Sequence, residues 1–154
     1  MKNLIIFISI SLLVLGCTAL TGEEVGRLKI NALSPEKESN LVVKEATLEL
    51  KKGDEIGIWS DIDVEYEDDV ILRFRIAIER NGEKYGGLEI DPMDKSITIG
   101  EVKTSVFGKT NWSFVGKNSK IKIEEDGKYT FKGLLVSSEN RSLNIIKAEI
   151  ILKK

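Results

Sequence analysis

The chain predicts an all-β fold in which two antiparallel sheets pack as a β-sandwich. From Leu28 onward apolar and polar residues alternate with a period of two, so each strand offers one face to a core and the other to water. Turn-forming residues punctuate that alternation at short intervals, and no stretch keeps a helical period.

Strands are expected first over 28–33, where the alternation opens, and then over 41–51, which Lys52-Gly53-Asp54 closes. A third strand over 55–66 places Ile56, Ile58, Ile62, Val64 and Tyr66 on one face and ends at Glu67-Asp68-Asp69. The fourth, 70–80, repeats the pattern with Val70, Leu72, Phe74, Ile76 and Ile78 before Asn81-Gly82. A fifth over 84–90 stops at Asp91-Pro92, and a sixth over 96–106 stops at Gly108. Two short strands follow over 110–115 and 119–125, separated by Gly116-Lys117-Asn118, with Trp112 and Phe114 sharing a face of the former as core residues. Asp126-Gly127 introduces a strand over 128–137 whose Tyr129, Phe131, Gly133 and Leu135 share a face. After Glu139-Asn140-Arg141 the last strand, 143–152, sets Ile146, Ala148, Ile150 and Leu152 against Lys147, Glu149 and Lys153. The run Asp126-Gly127-Lys128-Tyr129-Thr130-Phe131, with that last alternating strand, resembles the closing hairpin of many extracellular jelly rolls, including carbohydrate-binding and tumour-necrosis-factor-like domains. That resemblance implies architecture alone; eight to ten short strands at this spacing point to a jelly-roll or immunoglobulin-like sandwich, with a closed lipocalin-like barrel as the alternative.

Ahead of this domain stand Met1, Lys2 and Asn3, an apolar run from Leu4 to Leu15, then Gly16 and Cys17. A charged start, a short apolar stretch and a small residue at the cut make a secretory signal peptide over residues 1–16. The run falls short of the roughly 20 residues that span hydrocarbon. The stretch Leu13-Val14-Leu15-Gly16-Cys17 resembles the lipobox of bacterial lipoproteins, which implies that Cys17 is acylated and becomes the new amino terminus. Thr18 after the cysteine resembles the outer-membrane default, so the expectation is a protein lipid-anchored outside the cytoplasm, at the outer membrane. Residues 17–27, polar and with two glycines, read as acylated cysteine and tether, and 28–154 as the sandwich.

Composition removes several kinds of chemistry. There is no histidine, and the single cysteine is consumed by lipid, so Ser-His-Asp and Cys-His nucleophilic sites have no residues to build on. A carboxylate pair of the glycosidase type is what remains, and the acids here fall on wet faces and turns; the expectation is not an enzyme. With 23 basic against 25 acidic residues and no basic stripe, no nucleic acid is expected as a partner. Core packing carries the stability, because no thiol is left for a disulfide.

The densest chemical signal runs from Trp59 to Asp69, where six carboxylates lie within nine residues. If Ile56, Ile58 and Ile62 face the core, then Trp59, Asp61, Asp63 and Glu65 line the opposite face, an aromatic beside carboxylates that suits a glycan or calcium. Folding 55–66 and 70–80 as a hairpin would oppose Asp63 to Arg73 and Asp61 to Arg75, neutralising those acids and leaving Glu67, Asp68 and Asp69 at the turn as the better calcium candidate, although their spacing is not that of an EF-hand. Otherwise no cofactor is expected. Tyr85, beside Gly86-Gly87, is available to stack on a ligand from a bulge. Two readings therefore compete. One is an envelope lipoprotein whose sandwich binds a protein partner; the other is a glycan- or calcium-binding module. A broad apolar patch or an unprotected edge strand favours the first, and an exposed aromatic groove the second.

Overall fold

The computed structural model describes residues 21–35 and 40–154, so the readings for the leader and for Cys17 lie outside the described residues. Among those residues the chain forms β1 (Glu24–Lys29), β2 (Lys44–Leu50), β3 (Glu55–Glu67), β4 (Leu72–Arg80), β5 (Glu83–Ile90), β6 (Ile97–Val106), β7 (Lys109–Lys122), β8 (Gly127–Ser137) and β9 (Asn144–Lys153). They make two antiparallel sheets, a five-stranded one ordered β1-β9-β3-β7-β6 and a four-stranded one ordered β2-β8-β4-β5. The fold is an all-β sandwich and not a closed barrel.

The core lies where the alternation placed it. Ile56, Ile58, Ile62, Val64 and Tyr66 from β3 pack against Leu72, Phe74, Ile76 and Ile78 from β4 and against Tyr129, Phe131 and Leu135 from β8. Gly133 keeps its place among those aromatics for lack of space: a Cβ there would sit 2.8 Å from Leu28 Cδ2. Phe114 is buried as expected, while Trp112 is half-buried at the margin, its ring centroid 5.3 Å from that of Phe114.

Four features differ from the sequence reading for non-local reasons. The sheet begins at Glu24 and not at Leu28, because Glu24 to Lys29 pair with β9; the segment read as tether is partly strand. Gly116-Lys117-Asn118 is not a break: β7 runs through it, with Asn118 an extra residue between the pairs Ile58–Ser119 and Trp59–Lys117. The bulge frees the Asn118 side chain to accept from Ser60 Oγ at 2.7 Å and to donate to the carbonyls of Asp91, Pro92 and Asp94, which clamps the crossover from β5 to β6. In β9 a second irregularity, between the pairs Asp63–Lys147 and Val64–Ile145, throws Ile146 out to solvent and brings Ile145 against the core instead.

The fourth correction concerns the expected hairpin. β3 and β4 lie in different sheets, so Asp63 does not oppose Arg73 and Asp61 does not oppose Arg75. The connection is pinned to the β8–β9 loop: Asn140 Nδ2 donates to the carbonyls of Glu67 and Asp69, and the Ile71 amide donates to Ser138 Oγ. Asp68, at φ 59, makes the turn. Arg73 is instead bound to Asp91 at 2.7 Å and Arg75 to Glu89 at 2.9 Å.

Candidate functional site

The acidic face of β3 is on the outer side of the five-stranded sheet, but the strand sits at its centre, between β9 and β7. Trp59 is therefore 1 % exposed, and the expected outward aromatic is absent from the surface. Its indole lies over Gly57, where a Cβ would stand 3.1 Å from Nε1, and Lys153 Nζ covers the ring 4.5 Å from its centroid. Trp59 is not a platform for a sugar.

Its neighbouring acids are neutralised, by other partners than the sequence suggested. Arg27, on β1, donates to Asp61 at 3.1 Å, to Glu149 at 2.7 Å and to Glu24 at 2.7 Å. Lys147 Nζ lies 3.4 Å from the other Asp61 oxygen, and Asn31 donates to Glu149 at 3.1 Å. Burial pushes the Glu149 carboxyl up, yet the hydrogen bonds from Arg27 and Asn31 outweigh it and hold the group below its ordinary value. Glu65 is held low in turn by Lys109 at 3.1 Å and then by Asn144. Asp63 faces Lys147 across the β3–β9 ladder. This is a structural charge network that joins β1, β3 and β9.

Glu67, Asp68 and Asp69 border a depression of about 300 Å³ with Asn140, Arg141 and Ser142. The polar side chains of that second loop point at backbone atoms of the first, and among the described residues no three His, Cys, Asp or Glu side chains are placed to hold a metal ion. Tyr85 is the extra residue of a bulge in β5, as expected, with its ring edge-on to Tyr129 at 5.2 Å. It stands in the other sheet, so the structure does not bring it together with Trp59, Asp61, Asp63 and Glu65. On the outer side of the four-stranded sheet, Leu41, Ile71, Leu134 and Val136 surround a depression of about 620 Å³ with Arg73 and Arg75 at its edge. Both guanidinium groups are already held by Glu89 and Asp91, which leaves that hollow an apolar floor without a free charge to orient a ligand.

The surface that sequence reasoning missed is β6. It ends the five-stranded sheet and, among the described residues, pairs with β7 alone; all its residues are exposed. Its side chains are distributed against the usual rule. Glu101 and Lys103 turn to the inner side, where Glu101 accepts from Trp112 Nε1 at 2.8 Å and Lys103 Nζ sits 4.0 Å over the indole. Lys95 first and Trp112 second hold the Glu101 carboxyl below its ordinary value. Ile97, Ile99, Val102 and Val106 occupy the outer side and are all exposed. Gly100, at φ 61, forms the bulge that makes this row continuous, since it shifts the phase by one residue between Ile99 and Val102. A glycine flanked by apolar pairs of opposite parity was the signal available in the sequence.

At the end of β6 the pair Val106–Lys109 closes a two-residue turn, Phe107-Gly108. Both have positive φ, 50 and 84, the pattern of a type I′ turn in which asparagine or glycine is preferred and a bulky aromatic costs about 1–2 kcal/mol. Phe107 is fully exposed and so contributes nothing to the core in return. Phe107→Asn is therefore expected to stabilise the fold by about 1 kcal/mol, read as a higher denaturation midpoint at unchanged slope; a loss of stability would mean that the ring is held by contacts within the chain.

Apolar row, aromatic tip and an edge unpaired among the described residues thus lie together on one strand and its turn. Comparison with protein-family models, curated proteins and solved structures gave no match.

Proposed function

We propose that this protein is a non-enzymatic envelope lipoprotein, anchored by acylated Cys17, whose sandwich binds a protein partner through the outer face and edge of β6. The observation that carries the reading is the exposed row Ile97, Ile99, Val102 and Val106, ending in Phe107, on an edge strand. Monomeric domains blunt their edges and rarely leave such a row uncovered, because it is a template for pairing and apolar contact. The sequence Leu13 to Cys17 supports the anchor. Four residue steps separate Cys17 from Thr21, so acyl chains on that cysteine would hold the start of the domain within about 14 Å of the bilayer. No helix of the described residues is long and apolar enough to cross a membrane.

Two measurements test the two halves of the reading. Cys17→Ser is expected to move the protein from the carbonate-washed membrane pellet to the soluble fraction, since a single segment of lipid supplies the attachment; unchanged partition would defeat the anchor. For the contact, a photo-crosslinking residue at Val102 in the full chain, irradiated in the native envelope, should give a discrete adduct that the same residue at Val43, also exposed and lying just ahead of β2 in the other sheet, does not. Equal behaviour at both positions would remove β6 as the binding edge.

A further inference from the structure

We infer that the occupant of the β6 edge is a second copy of this chain, paired antiparallel through β6 about a two-fold axis at Val102. The inference rests on the reading of β6 as a binding edge and names its partner. Pairing the strand with itself in that register opposes Val102 to Val102, and each copy then places Glu101 opposite Lys103 of the other. Past the Gly100 bulge the register steps by one, so Ile99 of one copy falls opposite Thr104 of the other and Ile97 opposite Val106. All of these residues are exposed except that Glu101 and Lys103 rest partly on Trp112, so no group has to leave a core for the contact to form.

Charge selects this register. Its two Glu–Lys pairs are reciprocal, as a two-fold contact requires, and opposite charges directly across an antiparallel ladder attract whereas like charges repel. Shifting the axis to Thr104 would oppose Glu101 to Phe107 and Lys103 to Ser105, and would leave Ile97 beyond the end of the pairing. The axis at Val102 gives Glu101 a second cation beside Lys95, which lies 3.1 Å from it, and gives both isoleucines a partner on the outer side. On the outer side the two rows then merge, with Ile97 of one copy against Val106 of the other and Ile99 against Thr104, so apolar surface exposed in one chain is covered by the same surface in its copy. The backbone groups on the free side of β6, unpaired among the described residues, acquire a ladder at the same time.

The arrangement has a consequence for the membrane. Thr21 and Gly22 stand at the end of the sheet where Gly57 pairs with Lys153, and Phe107 stands beyond the opposite end, where Glu67 pairs with Lys109. Antiparallel pairing therefore puts the two chain starts at opposite ends of the joined sheet, and both Cys17 anchors reach one bilayer when that sheet lies along it.

The test uses the full chain in its native envelope. Val102→Cys, placed on the axis, is expected to give a disulfide-linked dimer of this chain on mild oxidation, whereas Val43→Cys and the unaltered chain are not. In the Val102→Cys background, Glu101→Lys or Lys103→Glu alone should lower the crosslinked fraction at least threefold, because each places like charges in both pairs. Co-expressing the two variants with different tags should restore it as the mixed dimer, since each then supplies the charge that the other lacks, and that recovery excludes misfolding as the cause of the loss. Absence of a dimer from Val102→Cys, or equal dimer from Val43→Cys, overturns self-pairing. If the photo-crosslinker at Val102 then captures a different protein, β6 remains a binding edge and only its occupant is wrong; if it captures nothing, the reading of the edge falls too.

Discussion

Trp59→Ala will lower the melting temperature by about 10–15 °C, the loss expected when a large buried aromatic is deleted at a cost of about 3–5 kcal/mol in a domain of this size. The side chain is 1 % exposed, wedged over Gly57 and capped by Lys153, so its removal leaves a hole that the rigid central strand β3 cannot close. An exposed aromatic at the same place, a platform for a sugar, would change stability by less than about 0.5 kcal/mol when truncated. Thermal unfolding followed by circular dichroism separates the two outcomes, and a shift under about 2 °C would show that the indole does not pack as described.

Arg27→Met will destabilise the protein by about 3 kcal/mol at neutral pH, because it strips the guanidinium from a nearly buried pair of carboxylates, Asp61 and Glu149. The effect depends on acidity in a direction that can be worked out. In the parent chain Glu149 is held below its ordinary value of 4.5, so its contribution is complete above that pH and is lost as the pH falls through the depressed value. Without Arg27 the burial that pushes the same carboxyl up is opposed chiefly by Asn31, so the group takes its proton at higher pH than in the parent and protonation relieves the variant. The gap between parent and variant should be widest near pH 7 and narrow toward pH 4, measured as denaturation midpoints at the two values. A gap that stays constant with pH would mean that Arg27 acts through packing of its methylenes and not through charge. The same residue explains why a chain that starts at Lys29 is expected to be less stable than one that starts at Glu23: the former lacks both the β1 ladder with β9 and the guanidinium on which Glu149 depends.

Within a single strand, alternation is local information, and it was legible. The faces of β3, β4 and β8 that carry Ile56 to Tyr66, Leu72 to Ile78 and Tyr129 to Leu135 are the faces that the core contains, because a side chain's direction along an extended chain alternates whatever the strand pairs with. Turn residues were legible for the same reason, since a positive φ at Gly53, Gly82 or Gly108 is a property of the residue itself.

Exposure of the opposite face was not legible, because it depends on how many strands stand beside it. β3 has neighbours on both sides, so Trp59 and Asp61 on its outer face are buried; β6 has one, so Ile97 to Val106 are bare. The partners of the β3 acids lie on β1 and β9, far along the chain, and no short-range pattern links Asp61 to Arg27 or to Lys147. Bulges added a second blind spot. One extra residue at Asn118, Ile146 or Gly100 reverses the phase of everything after it, and whether a strand accepts that residue is decided by what its partner strand and the crossing loops need. Local stereochemistry thus determined that this chain builds sheets and which side chains can share a face. Only the order of the strands, a choice made by packing between distant segments, decided which outer face became a buried charge network and which was left open on β6.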